Sequence, residues 1–171
     1  MIWIVYAFAG LIGLILLLAL AGSLLPKGHS ATRHATYRRP TAEVWEAITD
    51  IENFPTWRSD LASVERLPDR DGRPVWREKG KFGAMTLEQV EARPPVRLVG
   101  RIVGESAFGG TWTHELTESG GMTTHAITED GEIYNPIFRF LARFVFGHAG
   151  TMEKYLRDLG KTFGEDVETT S

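Results

Sequence analysis

The residues best placed to do chemistry are two histidines in "GTWTHELTESGGMTTHAITEDGEIY". If residues 118–121 form the loop of a hairpin, Thr117 stands opposite Met122 and His114 directly opposite His125. Alternation then sends Trp112, His114, Leu116, Thr123, His125 and Ile127 to one face, and its apolar members mark that face as the inner one. Two imidazoles would meet there about 5 Å apart at Cβ. Burial and the neighbouring ring would lower their ordinary pKa of about 6.5. Such a pair either hydrogen-bonds the polar end of a ligand, shuttles a proton, or bonds only its neighbours. A register off by one residue would instead turn both rings outward. Glu78 is a third candidate, on one strand face with Trp76 and Phe82. A buried carboxylate needs a partner or a proton, and Arg77 beside it points the other way; the alternative is a solvated sheet edge.

Spacing places no third ligand beside the histidines, so no metal site is expected. No P-loop, G-x-G-x-x-G, G-x-S-x-G, H-E-x-x-H or EF-hand pattern occurs, and no cofactor is expected. The absence of cysteine rules out disulfides and thiolate chemistry. An obvious nucleophile–base pair is missing too, which leans against an enzyme.

The elements that must position these residues follow from turn signals and periodicity. "TRHATYR" alternates as a first strand ending at Pro40. Thr41 is the expected cap of a short helix carrying Val44, Trp45 and Ile48 on one face. Asp50 can cap a second, "IENF", which Pro55 curtails. Trp45, Phe54 and Trp57 then either close the mouth of an apolar chamber or plug the end of an ordinary core. Strands follow at "ASVERL", "VWREKGKF", "MTLEQVEA", "VRLVGRIV", "GTWTHELT" and "MTTHAITEDGEIY", divided by Gly- and Pro-containing turns.

Asn135 and Pro136 start the last helix. Phe138, Leu141, Phe144, Val145, His148, Met152, Tyr155, Leu156, Leu159 and Phe163 recur along it at three- and four-residue spacing. Phe138, Leu141, Phe144, Val145, His148 and Met152 are the expected contribution of this helix to the chamber wall. Gly147 and Gly150 predict a kink or a break. The fold class expected is α+β: a curved antiparallel sheet of about seven strands wrapped around a long C-terminal helix, with two short helices after the first strand.

That order, with "PTAEVWEAITDIENFPTW", "EARPPVRLVGRI", "TWTHELTESGGMTTHAITEDGEI" and "NPIFRFLARFVFG…MEKYLRDLGKTF", resembles the SRPBCC superfamily over residues 31–165. This is the helix-grip group of START lipid-transfer domains, birch-pollen-allergen relatives and polyketide cyclase/dehydrase-like proteins. The resemblance implies a hollow between sheet and helix that accepts an apolar ligand, but no single chemistry and no shared catalytic residue.

Ahead of this domain, the first 25 residues carry no charge. About 20 such residues cross a hydrocarbon core of about 30 Å. An uncleaved anchor is therefore expected over residues 1–25, although Ala19-Leu20-Ala21 also resembles a signal-peptidase site. Ala9-xxx-Gly13 would suit self-association of the anchor. Residues 26–30 are expected as a linker and 166–171 as a frayed tail. The net charge of −3 hides four cations and no anion over residues 27–39, so the body is more acidic than the total. An acidic body is a poor partner for nucleic acid. The cations flank the C-terminal side of the span, which places the domain in the cytoplasm by the positive-inside rule. "IFRFLARFVF" is either buried between sheet and short helices or lies at the membrane interface with Arg139 and Arg143 at headgroup level.

Three functions stay open. The first is membrane-tethered carriage or sensing of a lipid, isoprenoid or polyketide-like molecule. The second is a cyclase or aromatase using His114, His125 or Glu78. The third is a tethered protein-interaction module with a filled core.

Overall fold

Left-handed turn residues divide the middle of the chain, and the strands extend to meet them. The computed structural model describes residues 2–81, 83–147 and 149–171. Seven strands form one antiparallel sheet: β1 (Gly28–Tyr37), β2 (Leu61–Arg70), β3 (Arg73–Gly80), β4 (Gly83–Arg93), β5 (Arg97–Ile102), β6 (Phe108–Ser119) and β7 (Met122–Ile133). Their order is β1-β7-β6-β5-β4-β3-β2, so β1 and β2 are the two edges. The chain crosses between those edges through α2 (Thr41–Thr49), a 3₁₀ turn (Ile51–Asn53) and α3 (Phe54–Trp57).

The hairpin between β6 and β7 corrects the expected register. Gly120 and Gly121 both take positive φ, 61° and 76°, so two residues suffice for the turn. His114 therefore pairs with Ile127 and Leu116 with His125, two positions from the expected register. A shift of two keeps every side chain on its face.

Helix α2 begins at Thr41 after Pro40, with no side-chain cap of its own. Its first turn is capped from β6 instead: Thr41 donates from backbone N and from Oγ1 to Glu118 Oε2, at 2.9 and 2.7 Å. The linker is shorter than expected, because β1 begins at Gly28. Nor does the tail fray. His34 and Thr170 exchange backbone hydrogen bonds of 2.9 and 3.0 Å, covering the β1 edge.

The C-terminal helical region breaks in two. Asn135 Oδ1 accepts from the backbone N of Ile137 and Phe138, starting α4 (Pro136–Leu141). A single π turn (Ala142–Phe146) follows, and Gly147 at φ 71°, ψ 178° ends it in a conformation that only glycine adopts readily. Helix α5 (Gly150–Thr162) then lies across the inner face of the sheet. Tyr37 Oη donates to Leu156 O at 3.0 Å, and Arg33 pairs with Glu153 at 2.9 Å. Met152, Tyr155, Leu156 and Leu159 meet Ala35, Tyr37, Leu98, Leu116 and Ile127 of the sheet and Val44, Ile48 and Phe54 of the short helices. This is the helix-grip arrangement, with α5 alone as the gripped helix.

Helix α1 (Ile2–Ser23) precedes the sheet and exposes nearly all its apolar surface. Its end docks on α4. The backbone of Gly22 lies against Pro136 O so closely that an added Cβ would stand 1.8 Å from it.

Candidate functional site

A cavity lies between the short helices, the inner face of β3–β6 and α5. Ile48, Ile51, Phe54, Trp76, Met85, Leu87, Leu98, Trp112 and Tyr155 supply apolar wall, and Arg58, Glu78, Gln89 and His114 supply polar groups. The cavity has a volume of about 90 Å³ and opens to solvent. Gly100 faces this space, and a Cβ there would meet nothing within 4 Å.

Arg58 organises the polar side. It follows α3 in an extended conformation, with its N–H bonded to Phe54 O at 2.7 Å. The chain leaves the helix there and the guanidinium turns inward, 5.5 Å from the Phe54 ring centroid and 5.2 Å from that of Tyr155. Nη1 donates to both Glu78 oxygens at 3.1 Å, and Nη2 to Asp60 Oδ2 at 2.7 Å. Arg58 and Glu78 are buried, whereas the Asp60 side chain keeps 28% exposure and carries the cluster toward solvent. One cation thus faces two carboxylates. Burial pushes the Glu78 carboxyl above the ordinary range, outweighing the pull of the shared Arg58. Burial also disfavours the Arg58 charge, but Glu78 and Asp60 more than restore it.

Beside this cluster sits the histidine pair. Because their positions are diagonal, the rings slide past each other with centroids 5.2 Å apart, and His114 Nδ1 and His125 Nε2 lie 3.0 Å apart in a hydrogen bond. Burial lowers His114 to about 3, with Arg58 adding to the effect. Burial, then His114, pulls His125 well below its ordinary value. Both rings are therefore neutral near pH 7, one donating and one accepting. His114 faces the cavity and His125 lies behind it. Tyr155 stacks edge-on against Trp57 at 5.2 Å, and burial raises its hydroxyl pKa. Tyr155 Oη and Trp76 Nε1, both on residues of the cavity wall, are buried without a hydrogen-bond partner. A buried polar atom left in that state costs about 1–3 kcal/mol.

This fold agrees with comparison to known proteins. A family model described as "Polyketide cyclase / dehydrase and lipid transport" matches residues 28–164. The chain belongs to this family. No curated protein matches it. Among solved structures, this member of the family resembles the Zhui aromatase/cyclase from Streptomyces sp. R1128, at 17% identity and a TM-score of 0.64, covering 80% of this chain and 94% of that one. A START superfamily protein from Mycobacterium smegmatis gives 17% identity and 0.59, covering 77% and 99%. The major latex-like protein 151 of Panax ginseng gives 10% and 0.60, covering 81% and 96%. At these identities the likeness is one of fold.

Against this family fold, the residues singled out from sequence divide by where the chain places them. Phe54, Trp76, Glu78, Trp112 and His114 line the cavity, and Trp57 packs on Phe54 and Tyr155 just behind it. Leu116, His125, Ile127 and Met152 are buried in the core, while Trp45 is half-buried against it. Phe138, Phe144 and Val145 do not line the cavity: the break at Gly147 turns them outward, and they are 56%, 62% and 61% exposed. Leu141 lines a separate cleft near α4. His148 and Phe82 lie outside the described residues. Sequence reasoning assigns no chemistry to Arg58 or Tyr155. The signal available is a charge directly after "FPTW", together with the partner that Glu78 requires. Among the described residues, no group of three His, Asp or Glu is placed to hold a metal ion.

Proposed function

We propose that the protein holds a hydrophobic small molecule, of lipid, isoprenoid or polyketide type, between the sheet and α5, and that α1 tethers it to a membrane. The observation that carries the first half is the cavity itself. Its walls are apolar, and the buried Arg58–Glu78 pair stands at its polar side. A ligand with an apolar body and a polar end would satisfy both features. The family description and its START-type neighbour support the same reading.

The tether rests on α1. Its 22 residues rise about 33 Å at about 1.5 Å each, enough to cross a bilayer core. The fit of Gly22 against Pro136 supports a retained helix over a cleaved leader. Lys27, Arg33, Arg38 and Arg39 on its C-terminal side favour a cytoplasmic domain. Reporter fusions at the C-terminus test this orientation: activity only from an exported reporter would reverse it.

A second reading, aromatase or cyclase chemistry, is favoured by Glu78. A carboxyl with a raised pKa facing an apolar cavity suits a general acid, and His114 offers a neutral imidazole beside it. The aromatase/cyclase neighbour is consistent with it.

Energy transfer from tryptophan to a dansyl-labelled fatty acid, with the full chain in nanodiscs, tests ligand binding. Trp76 and Trp112 line the site, so the native chain should show saturable transfer. Gly100→Leu, which puts a side chain into the open space, should abolish it without unfolding the protein. Equal transfer in both would reject the cavity as the site.

A further inference from the structure

Helix α4 and the π turn expose what a soluble helix hides. Phe138, Phe144 and Val145 face outward, and Tyr134 just before them is 39% exposed. Phe140 and Phe144 stack at 4.9 Å, extending the apolar patch. Its position relative to α1 is informative. Gly22 touches Pro136, and 20 residues at about 1.5 Å separate it from Ile2, so Gly22 stands roughly 30 Å along α1. If α1 spans a bilayer, α4 lies at the depth where the hydrocarbon core ends.

Charge agrees with this placement. A recess of about 150 Å³ beside the α1–α4 junction is bordered by Lys27, Arg139 and Arg143. Arg139 is consumed internally: Nη1 donates to Gly22 O and Leu25 O at 3.2 and 2.9 Å, Nε to Ile133 O at 3.0 Å and Nη2 to Tyr134 O at 3.0 Å. Lys27 and Arg143 are exposed, and they remain for an outside anion. Apolar rings flanked by outward cations at one depth match the boundary between acyl chains and anionic headgroups.

We propose that residues 136–146 are a second membrane contact, lying in the bilayer interface beside α1. Phe138, Phe144 and Val145 enter the acyl boundary, and Lys27 and Arg143 meet lipid phosphates. The partner is the bilayer surface itself. This rests on the reading of α1 as an anchor. One structural consequence is that a cleft of about 490 Å³, walled by Phe138, Leu141 and Ala142, adjoins the contact. It shares Thr151 with the inner cavity.

The chain contains no cysteine, so single cysteines report unambiguously. Val145→Cys, Ile12→Cys and Ser119→Cys, each carrying an environment-sensitive fluorophore, are placed in the full chain. The chain is reconstituted in vesicles of phosphatidylcholine and phosphatidylglycerol in equal parts, with nitroxides either near the headgroup or near the chain end. Ile12 lies midway along α1, and Ser119 sits at the far tip of the β6–β7 hairpin. The expected result is quenching at Val145 by the shallow nitroxide several-fold above that at Ser119, and deep quenching at Ile12. Lys27→Glu with Arg143→Glu should lower the Val145 signal in these vesicles, and an unchanged signal removes the phosphate contact. Quenching at Ile12 with Val145 no different from Ser119 overturns the interfacial contact and leaves the anchor. Quenching at Val145 alone keeps the contact and removes the anchor; quenching at neither overturns both.

Discussion

Between the short helices and β3–β6, the rings of Phe54 and Tyr155 pack on the buried guanidinium of Arg58, with Trp57 against both rings and Trp76 and Trp112 along the same cavity wall. Between α1 and the π turn, Phe138, Phe144 and Val145 face outward while the guanidinium of Arg139 is buried. Each end therefore buries an arginine, but by different means. Arg58 is matched by the charges of Glu78 and Asp60, whereas Arg139 is held by four neutral carbonyl oxygens, two at the end of α1 and two at the end of β7. Burying charge against charge makes the first end sensitive to loss of one partner and to protonation. Capping a helix end with a cation leaves the second dependent on neutral carbonyls, which water can serve if the guanidinium is removed.

The largest predicted effect breaks the charge balance at the cavity. Arg58→Met leaves Glu78 buried without its cation and should cost about 3–5 kcal/mol. Adding Glu78→Leu should return most of that loss in thermal unfolding. Next comes the histidine pair, which has no counterpart at the α1–α4 end. Both rings are neutral when folded and protonate freely once unfolded. Their contribution is thus present above pH 6.5 and is lost as the pH falls toward about 3, the His114 value. Each histidine adds a slope of up to about 1.4 kcal/mol per pH unit there. His114→Leu with His125→Leu should flatten the upper part of that window, before carboxylates protonate. A curve of unchanged slope would mean that the rings are not buried neutral.

Arg139→Met should cost less than Arg58→Met, about 1–2 kcal/mol, because the freed carbonyls become hydrated as α1 swings away. Hydrogen exchange should then rise at Gly22–Leu25 while the core stays protected. The smallest effect is expected for Phe144→Ser, within about 0.5 kcal/mol, since the ring packs against no core residue. A loss as large as that at Arg58 would erase the contrast between the ends.

Much of this organisation is legible in the sequence because it is local. Turn residues and alternation place the strands, and Asn135-Pro136 places the start of α4. The β6–β7 register differs by two positions from the expected one because Gly120 and Gly121 complete the turn alone, yet parity preserves the inner face. Periodicity holds beyond Gly147 but fails before it. A positive φ there ends one helix before the next begins, so spacing carried across the break assigns Phe138, Phe144 and Val145 to the wrong side. Arg58 stays hidden for a different reason. Its partner Glu78 is 20 residues away on a strand, and only folding reveals that a charge after α3 turns inward. The hold of Thr170 on His34 depends likewise on a distant edge that a short polar tail does not announce.

Whether an apolar molecule occupies the cavity is tested most directly by native mass spectrometry of the full chain, purified from its host in detergent and released from micelles. The native chain should carry a bound apolar mass that Gly100→Leu lacks. A bare chain in both proteins, or the same adduct in both, would contradict it.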